Sequence, residues 1–242
     1  MKMIQKLIIC GLLLSSTQSV FAARGDDDLR DLRQSGIAAD EWQLIRNDNR
    51  HNIMQYVKRD LGKTLRSFKI EYEVDGTLDT ISRVSFDFPN YKRWYYQIKE
   101  AKVLKKVSDR EFYYYQIHQA PATLPDRDVV LHATIQPYSV KTGYAMMTLE
   151  SIPDFIPLKP PLVRMVAENM TVKWIKIGKN RWKNISEGYI DPNGGAPDWA
   201  INFVQRQAPY QTVLGLQRMI QSSTYAESKE VPLFSYGDAY EN

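Results

Sequence analysis

The sequence predicts an α+β protein in which a large antiparallel sheet is covered on one face by a C-terminal helix. Three observations carry that expectation. Most of the chain between residues 51 and 191 falls into runs of alternating apolar and polar residues, the period of half-buried strands. Several of these runs follow one another with short turn-like clusters between them, as antiparallel neighbours do. One long amphipathic pattern, Trp199–Gln221, comes after them. An antiparallel sheet needs one face covered, and a single long helix can cover it. If the sheet curls around that helix, the space between them becomes a cavity rather than a solid core.

Residues 1–22 stand outside this fold. Lys2 and Lys6 precede the apolar run LIICGLLLSS, and the stretch ends in Val20-Phe21-Ala22, with small residues where a signal peptidase reads. This is the pattern of a secretory signal peptide. The apolar run falls short of the ~20 residues that a spanning helix needs. Export is therefore expected, to the periplasm or, if the source lacks an outer membrane, to the medium. Bulky Ile9 argues against a lipoprotein reading of Cys10. Cleavage would remove Cys10, the only cysteine, so a packed core must supply the stability that disulfides often give exported chains. It would also lower the 32 basic residues to 30, against 28 acidic ones, for a net charge of +2. That balance gives nucleic-acid binding no support. Residues 23–36 form a charged N-terminal segment, in which Asp26, Asp27 and Asp28 lack the spacing of a calcium loop.

The main domain is expected over residues 37–221. Ile37–Asn47 places Ile37, Trp42, Leu44 and Ile45 at spacings that predict an amphipathic helix. HNIMQYVKR and SFKIEYEVD then read as strands. TLDTISRVSFDFPNYKRWYYQI reads as two short helices jointed at Pro89. Four strands follow, EAKVLKKVS, REFYYYQIHQ, RDVVLHATIQP and GYAMMTLESI, separated by SDRE, APATLPD and YSVKTG. The proline-rich IPDFIPLKPPLVRM is too long for a hairpin turn. ENMTVKWIKIG and RWKNISEGYID are strands flanking the turn GKN. In YIDPNGGAPDWAIN, Gly194-Gly195 admits positive φ and Asp198 is a plausible N-cap, which makes a sharp corner into the last helix. Pro209 predicts a kink in that helix. The tail 222–242 has no periodicity and is expected as an ordered loop or a frayed end.

The catalytic inventory is thin. His51, His118 and His132 have no metal-ligand spacing and read as ordinary sheet residues. GxSxG, P-loop and GxGxxG motifs are missing from the sequence, and no metal or cofactor is expected. The sequons at Asn169 and Asn184 are weak three-residue matches. More informative are 15 Tyr, 5 Trp and 8 Phe, clustered as in RWYYQ and EFYYYQ. Large rings with polar tips suit either a core or an apolar ligand pocket with a few polar anchors. Met146, Met147, Met165, Met170 and Met219 fit an adaptable apolar site or plain core packing equally well.

Four motifs taken together resemble the START (StAR-related lipid-transfer) domain family. They are YIDPNGGAPDW (Tyr189–Trp199), with Asn202 three residues on; LPDRDVVL (Leu124–Leu131); FPNYKRW (Phe88–Trp94), followed by EAKVLKK; and IPLKPPLVRM (Ile156–Met165). They occur in the family's order and cover roughly Ile37 to Ile220. The resemblance implies a helix-grip fold, in which a curved antiparallel sheet grips the C-terminal helix around a lipid tunnel. It implies an exported, single-domain lipid-binding or lipid-transfer protein rather than an enzyme. Transient contact with a membrane surface, no cofactor and a monomeric state are expected with it. Arg127-Asp128 matches the family's Arg-Asp pair, while Asp191, Gly194, Gly195, Pro197, Trp199 and Asn202 match the corner. In the sterol-binding branch a further cavity arginine follows, and Ala133 stands at that place here, so a sterol loses its best sequence argument.

If Arg127 faces inward, the two-residue period turns Val129, Leu131 and Ala133 inward with it. Tyr144 and Met146 are candidates on the next strand, and Trp199, Phe203, Tyr210, Val213 and Leu216 lie near one stripe of the helix. The loop Pro153–Pro161 and the helix start at Asp198 are candidate gates. Two other readings stay open. One is a helix-grip cyclase or hydrolase drawing on Arg127, Asp128, His118, His132 and the tyrosines. The other is a structural or partner-binding protein with a filled core.

Overall fold

The computed structural model describes residues 40–237 apart from Thr64, Ala122, Asp198, Trp199 and Asn202. Among these residues a single sheet collects ten strands. They are β1 (Gln43–Asp48), β2 (Ile53–Lys58), β3 (Ser67–Asp75), β4 (Ile98–Ser108), β5 (Glu111–His118), β6 (Arg127–Gln136), β7 (Tyr144–Ser151), β8 (Val163–Arg164), β9 (Ala167–Gly178) and β10 (Arg181–Asp191). Their spatial order is β1-β2-β3-β10-β9-β7-β6-β5-β4, with β8 lying parallel to β6. All other pairs are antiparallel. The cleavable leader and the charged segment expected over 1–36 lie outside the described residues, as do residues 37–39 and 238–242.

The period-two reading holds along the sheet: SFKIEYEVD is β3, and RWKNISEGYID is β10. The first element is different. In place of the helix expected over Ile37–Asn47, β1 pairs with β2 in an antiparallel hairpin. The turn decides this. The Asp48 carboxylate accepts the backbone N–H groups of Arg50 and His51, and Asn52 takes a positive φ of 52°. With the turn fixed, Leu44 and Arg46 lie against Tyr56 and Gln55, and sheet pairing overrides a weak helical spacing.

Between β3 and β4 the chain crosses from the middle of the sheet to its far edge through α1 (Leu78–Ser85) and a 3₁₀ turn (Phe88–Arg93). Thr77 caps α1 by accepting the Thr80 N–H at 3.1 Å. Pro89 sits in the first turn of the 3₁₀ element, where its missing N–H is harmless.

The C-terminal helix is irregular for a local reason. A π-helical segment, Phe203–Gln207, leads into α2 (Ala208–Ile220). Pro209 has no N–H to give the Gln205 carbonyl four residues back. That carbonyl instead accepts Gln55 Nε2 of β2 at 2.9 Å, and Gln205 Nε2 reaches the Arg66 carbonyl at 3.1 Å. The proline thus frees a group that docks the helix on the sheet. Beyond α2, the aperiodic tail is ordered through residue 237. It forms α3 (Ser223–Ala226) and then buries Phe234 and Tyr236 in the aromatic core.

Candidate functional site

The inner face of the sheet and the underside of α2 do not meet everywhere. Between them lies an apolar cavity of about 220 Å³. Each bounding element runs from an open end to a closed one. β5 contributes His118, Gln116 and Tyr114 in that order, β9 contributes Glu168, Met170, Val172 and Trp174, and β3 contributes Phe68, Ile70 and Tyr72. The helix side runs from Ala200 and Val204 to Val213 and Leu216. At the open end Gln119, Ala120, Leu124 and Ala196 are exposed or half-buried. At the closed end Tyr72, Tyr114, Trp174, Leu216 and Tyr236 are all buried.

Polar side chains concentrate on the walls nearer the open end. Glu168 Oε2 lies 3.3 Å from His118 Nε2, with the Glu168 side chain 3 % exposed and that of His118 22 %. Neither atom makes a hydrogen bond among the described residues, and the same holds for Gln116 Oε1 and Arg127 Nε. Arg127 donates through Nη1 to the Pro125 carbonyl. Burial pushes the hydroxyl pKa values of Tyr91, Tyr95 and Tyr114 well up, and the negative charge of Glu168 adds to each shift. The three phenols therefore stay protonated. Buried polar atoms without partners are uncommon in a finished core. Here they converge on one space, which can receive the polar end of an otherwise apolar molecule.

Of the residues singled out from the sequence, Arg127, Val213 and Leu216 line the cavity, as do His118, Met147, Met165 and Met170. Val129, Leu131 and Ala133 are fully buried and join the packed core beside it, outside the cavity wall. Tyr144 and Met146 point the other way. On β7 the inward residues are Ala145, Met147 and Leu149, while Lys173 packs over the Tyr144 ring at 3.9 Å on the outer face. YAMMTLE is apolar on both phases, so only pairing with β6 and β9 sets which one faces in. Tyr210 lies off the cavity and donates its hydroxyl to Asp48 at 2.7 Å. Trp199, Asn202 and the side chain of Phe203 lie outside the described residues.

The corner motif serves as a corner. Asp191 accepts the Asn193 N–H at 2.9 Å, and Asn193, Gly194 and Gly195 all have positive φ. The Pro197 carbonyl receives the N–H groups of Ala200 and Ile201. Asp128 holds Arg164 and stays off the cavity wall. His51 and His132 lie off the cavity too, each beside a carboxylate, Asp48 and Glu111. Glu168 and Tyr236 were not among the sequence candidates. Glu168 was legible in principle, because Glu168, Met170, Val172 and Trp174 alternate along one strand face. Tyr236 sits in an aperiodic tail and gave no such signal.

A sheet curved around a C-terminal helix with an apolar space between them is the helix-grip architecture. The family profile of the START domain matches residues 27–207, and the chain belongs to that family, whose members bind lipids and other apolar ligands. An uncharacterized protein of Pseudomonas aeruginosa is 22 % identical over 179 residues, covering 74 % of this chain and 86 % of that one. Several solved structures share the fold. A STAR-related lipid transfer protein from Xanthomonas axonopodis matches with TM-score 0.67 and 24 % identity, over 76 % of this chain and all of that one. Human STARD10 matches with TM-score 0.68 and 21 % identity, over 87 % and 85 % of the two chains.

Proposed function

We propose that the protein is an exported lipid-binding and lipid-transfer module that encloses one apolar molecule in the cavity. The observation that carries this reading is the cavity's polarity gradient. Gln116, His118, Arg127 and Glu168 hold polar atoms without hydrogen bonds toward the open end, and the floor beneath is aromatic, its polar atoms confined to the ring tips of Tyr72, Tyr114, Trp174 and Tyr236. An amphiphile would enter tail first and leave its polar end beside Glu168 and His118. Each CH₂ withdrawn from water favours enclosure by ~0.8 kcal/mol, so a site of this kind can replace the bilayer for a single chain. The phospholipid, fatty acyl and sterol-like classes all suit an apolar cavity. Its 220 Å³ favours slender ligands, since pockets for larger ones run to roughly 300–1,000 Å³.

The leader pattern of residues 1–22 supports export, and the exposed Leu158 in the proline-rich loop supports a transient membrane contact of the monomer. Native mass spectrometry of protein purified from its own source tests the reading, together with uptake from liposomes after delipidation. A co-purifying lipid and its re-uptake are expected. Protein that carries no lipid and takes none up would rule the reading out. Chemical conversion of the bound molecule would replace transport by catalysis at the His118–Glu168 pair.

A further inference from the structure

The closed end of the cavity is built by a part of the chain that the helix-grip architecture does not require. After α2 the chain turns through α3, where the Tyr225 hydroxyl donates to Asp87 at 2.7 Å. It then runs along the surface, with Val231 91 % and Leu233 52 % exposed. Arg83 reaches this strap at the carbonyls of Tyr225 and Glu230, both at 3.3 Å. Two rings then turn inward. Phe234 stacks on Phe112 with centroids 3.8 Å apart and planes 15° from parallel. Tyr236 packs against Phe86 at 4.9 Å and Trp174 at 6.1 Å and forms part of the cavity wall. Its backbone is pinned on both sides: its N–H donates to Ser82 Oγ at 2.9 Å, and its carbonyl accepts the Tyr138 N–H at 2.7 Å.

We propose that this C-terminal strap is the floor of the cavity and measures the length of the bound apolar chain, with Tyr236 as the stop. The proposal rests on the reading that a lipid lies in the cavity with its polar end beside Glu168. From Glu168, β9 runs six residues to Trp174, a rise of about 20 Å. Trp174 touches Tyr236, so a chain laid along this strand meets the Tyr236 ring at the bottom. Behind that ring lie Phe86, Phe112 and Phe234 of the aromatic plug. Shortening the side chain at 236 therefore lengthens the cavity along its own axis without touching the polar walls. Enlarging the side chain shortens it.

The test uses the full-length protein, delipidated, and straight-chain primary alcohols from decanol to eicosanol, whose hydroxyl can donate to Glu168. Tyr236→Ala, Tyr236→Leu and Tyr236→Trp are compared with wild type, with thermal unfolding as the check on folding and Tyr236→Leu as the milder truncation. Affinity should rise by about fourfold per added methylene up to a limiting length and then fall. The limit should move to longer alcohols in the Ala and Leu variants and to shorter ones in the Trp variant, while shorter alcohols keep their wild-type affinity. A limit at the same length in every folded variant would remove Tyr236 as the stop and leave the lipid reading standing. A wild-type protein that binds none of the alcohols, and takes up no phospholipid from vesicles, would remove both.

Discussion

Asp128 and Arg164 meet in the interior through two parallel bonds, Nε to Oδ1 and Nη2 to Oδ2, each 2.9 Å. The guanidinium has further donors, and these reach the carbonyls of Pro153, Ile156 and Pro157. Tyr115 donates its hydroxyl to the same carboxylate at 2.9 Å. One arginine thus saturates a buried acid and fastens the proline-rich loop to β6. A lysine has no planar fork and could not reproduce the set.

Removing either partner should leave a buried charge without compensation. Asp128→Ala and Arg164→Met are each expected to destabilise the fold by ~3–5 kcal/mol in chemical denaturation. The double variant should lose less than the sum of the two, because the second substitution removes the charge that the first left stranded. Single variants within ~0.5 kcal/mol of wild type, the usual range for a surface position, would show that the pair does not hold the loop.

Gly215 on α2 offers a sign reversal. In a helix interior, alanine is ordinarily better than glycine by up to ~1 kcal/mol. Here a Cβ would stand 2.2 Å from the Trp94 carbonyl oxygen at the end of the 3₁₀ turn. Backbone cannot swing aside like a side chain. Gly215→Ala should therefore destabilise by ~1–3 kcal/mol, as overpacked cores do, and lower the unfolding temperature. A raised unfolding temperature would mean that α2 and the 3₁₀ turn can move apart.

Local periodicity made the sheet legible. SFKIEYEVD and RWKNISEGYID could be read as strands because one phase of each is apolar and the other polar. Where both phases are apolar, as in YAMMTLE, the strand is readable but its facing is not, and Tyr144 and Met146 lie on the outer face. The first strand was hidden because Trp42, Leu44 and Ile45 fit a helical stripe, while the deciding Asp48 turn acts through pairing with β2. The four family motifs located the corner and the loop. They did not locate the cavity's polar pair, since His118 on β5 and Glu168 on β9 meet only after the sheet has curved. The tail was least legible, because Phe234 and Tyr236 gain their meaning from Phe86, Phe112 and Trp174, all far away in sequence.

The contact between Tyr210 and Asp48 predicts acid sensitivity. The Asp48 carboxyl is held down to about 2, first by the Tyr210 hydroxyl and then by the His51 side chain. Its ordinary value of 3.8 applies in the unfolded chain. A depressed value in the folded state means that this stabilisation is fully present above about pH 4 and lost as the pH falls toward 2. Tyr210→Phe removes the largest cause. The Asp48 titration followed by NMR should move up toward its ordinary value, and acid unfolding should begin at a higher pH. An unmoved Asp48 titration would show that the phenol does not govern it.

The polar pair in the cavity makes the most direct claim on function. Glu168 is a buried carboxylate whose Oε2 faces His118 Nε2 at 3.3 Å, and neither atom makes a hydrogen bond among the described residues. If these atoms receive the polar end of a lipid, Glu168→Gln keeps the shape and removes the charge that accepts its hydrogen bond. A hydrogen bond to a charged group contributes ~1.5–3 kcal/mol, so retention of the co-purifying lipid should weaken by about tenfold or more. Folding should not suffer, because the substitution takes a charge out of a buried site. Tyr144→Ala and Met146→Ala, on the outer face, should hold lipid to within about twofold of wild type. Equal retention in Glu168→Gln and wild type would move the polar end of the ligand away from this pair and toward Arg127.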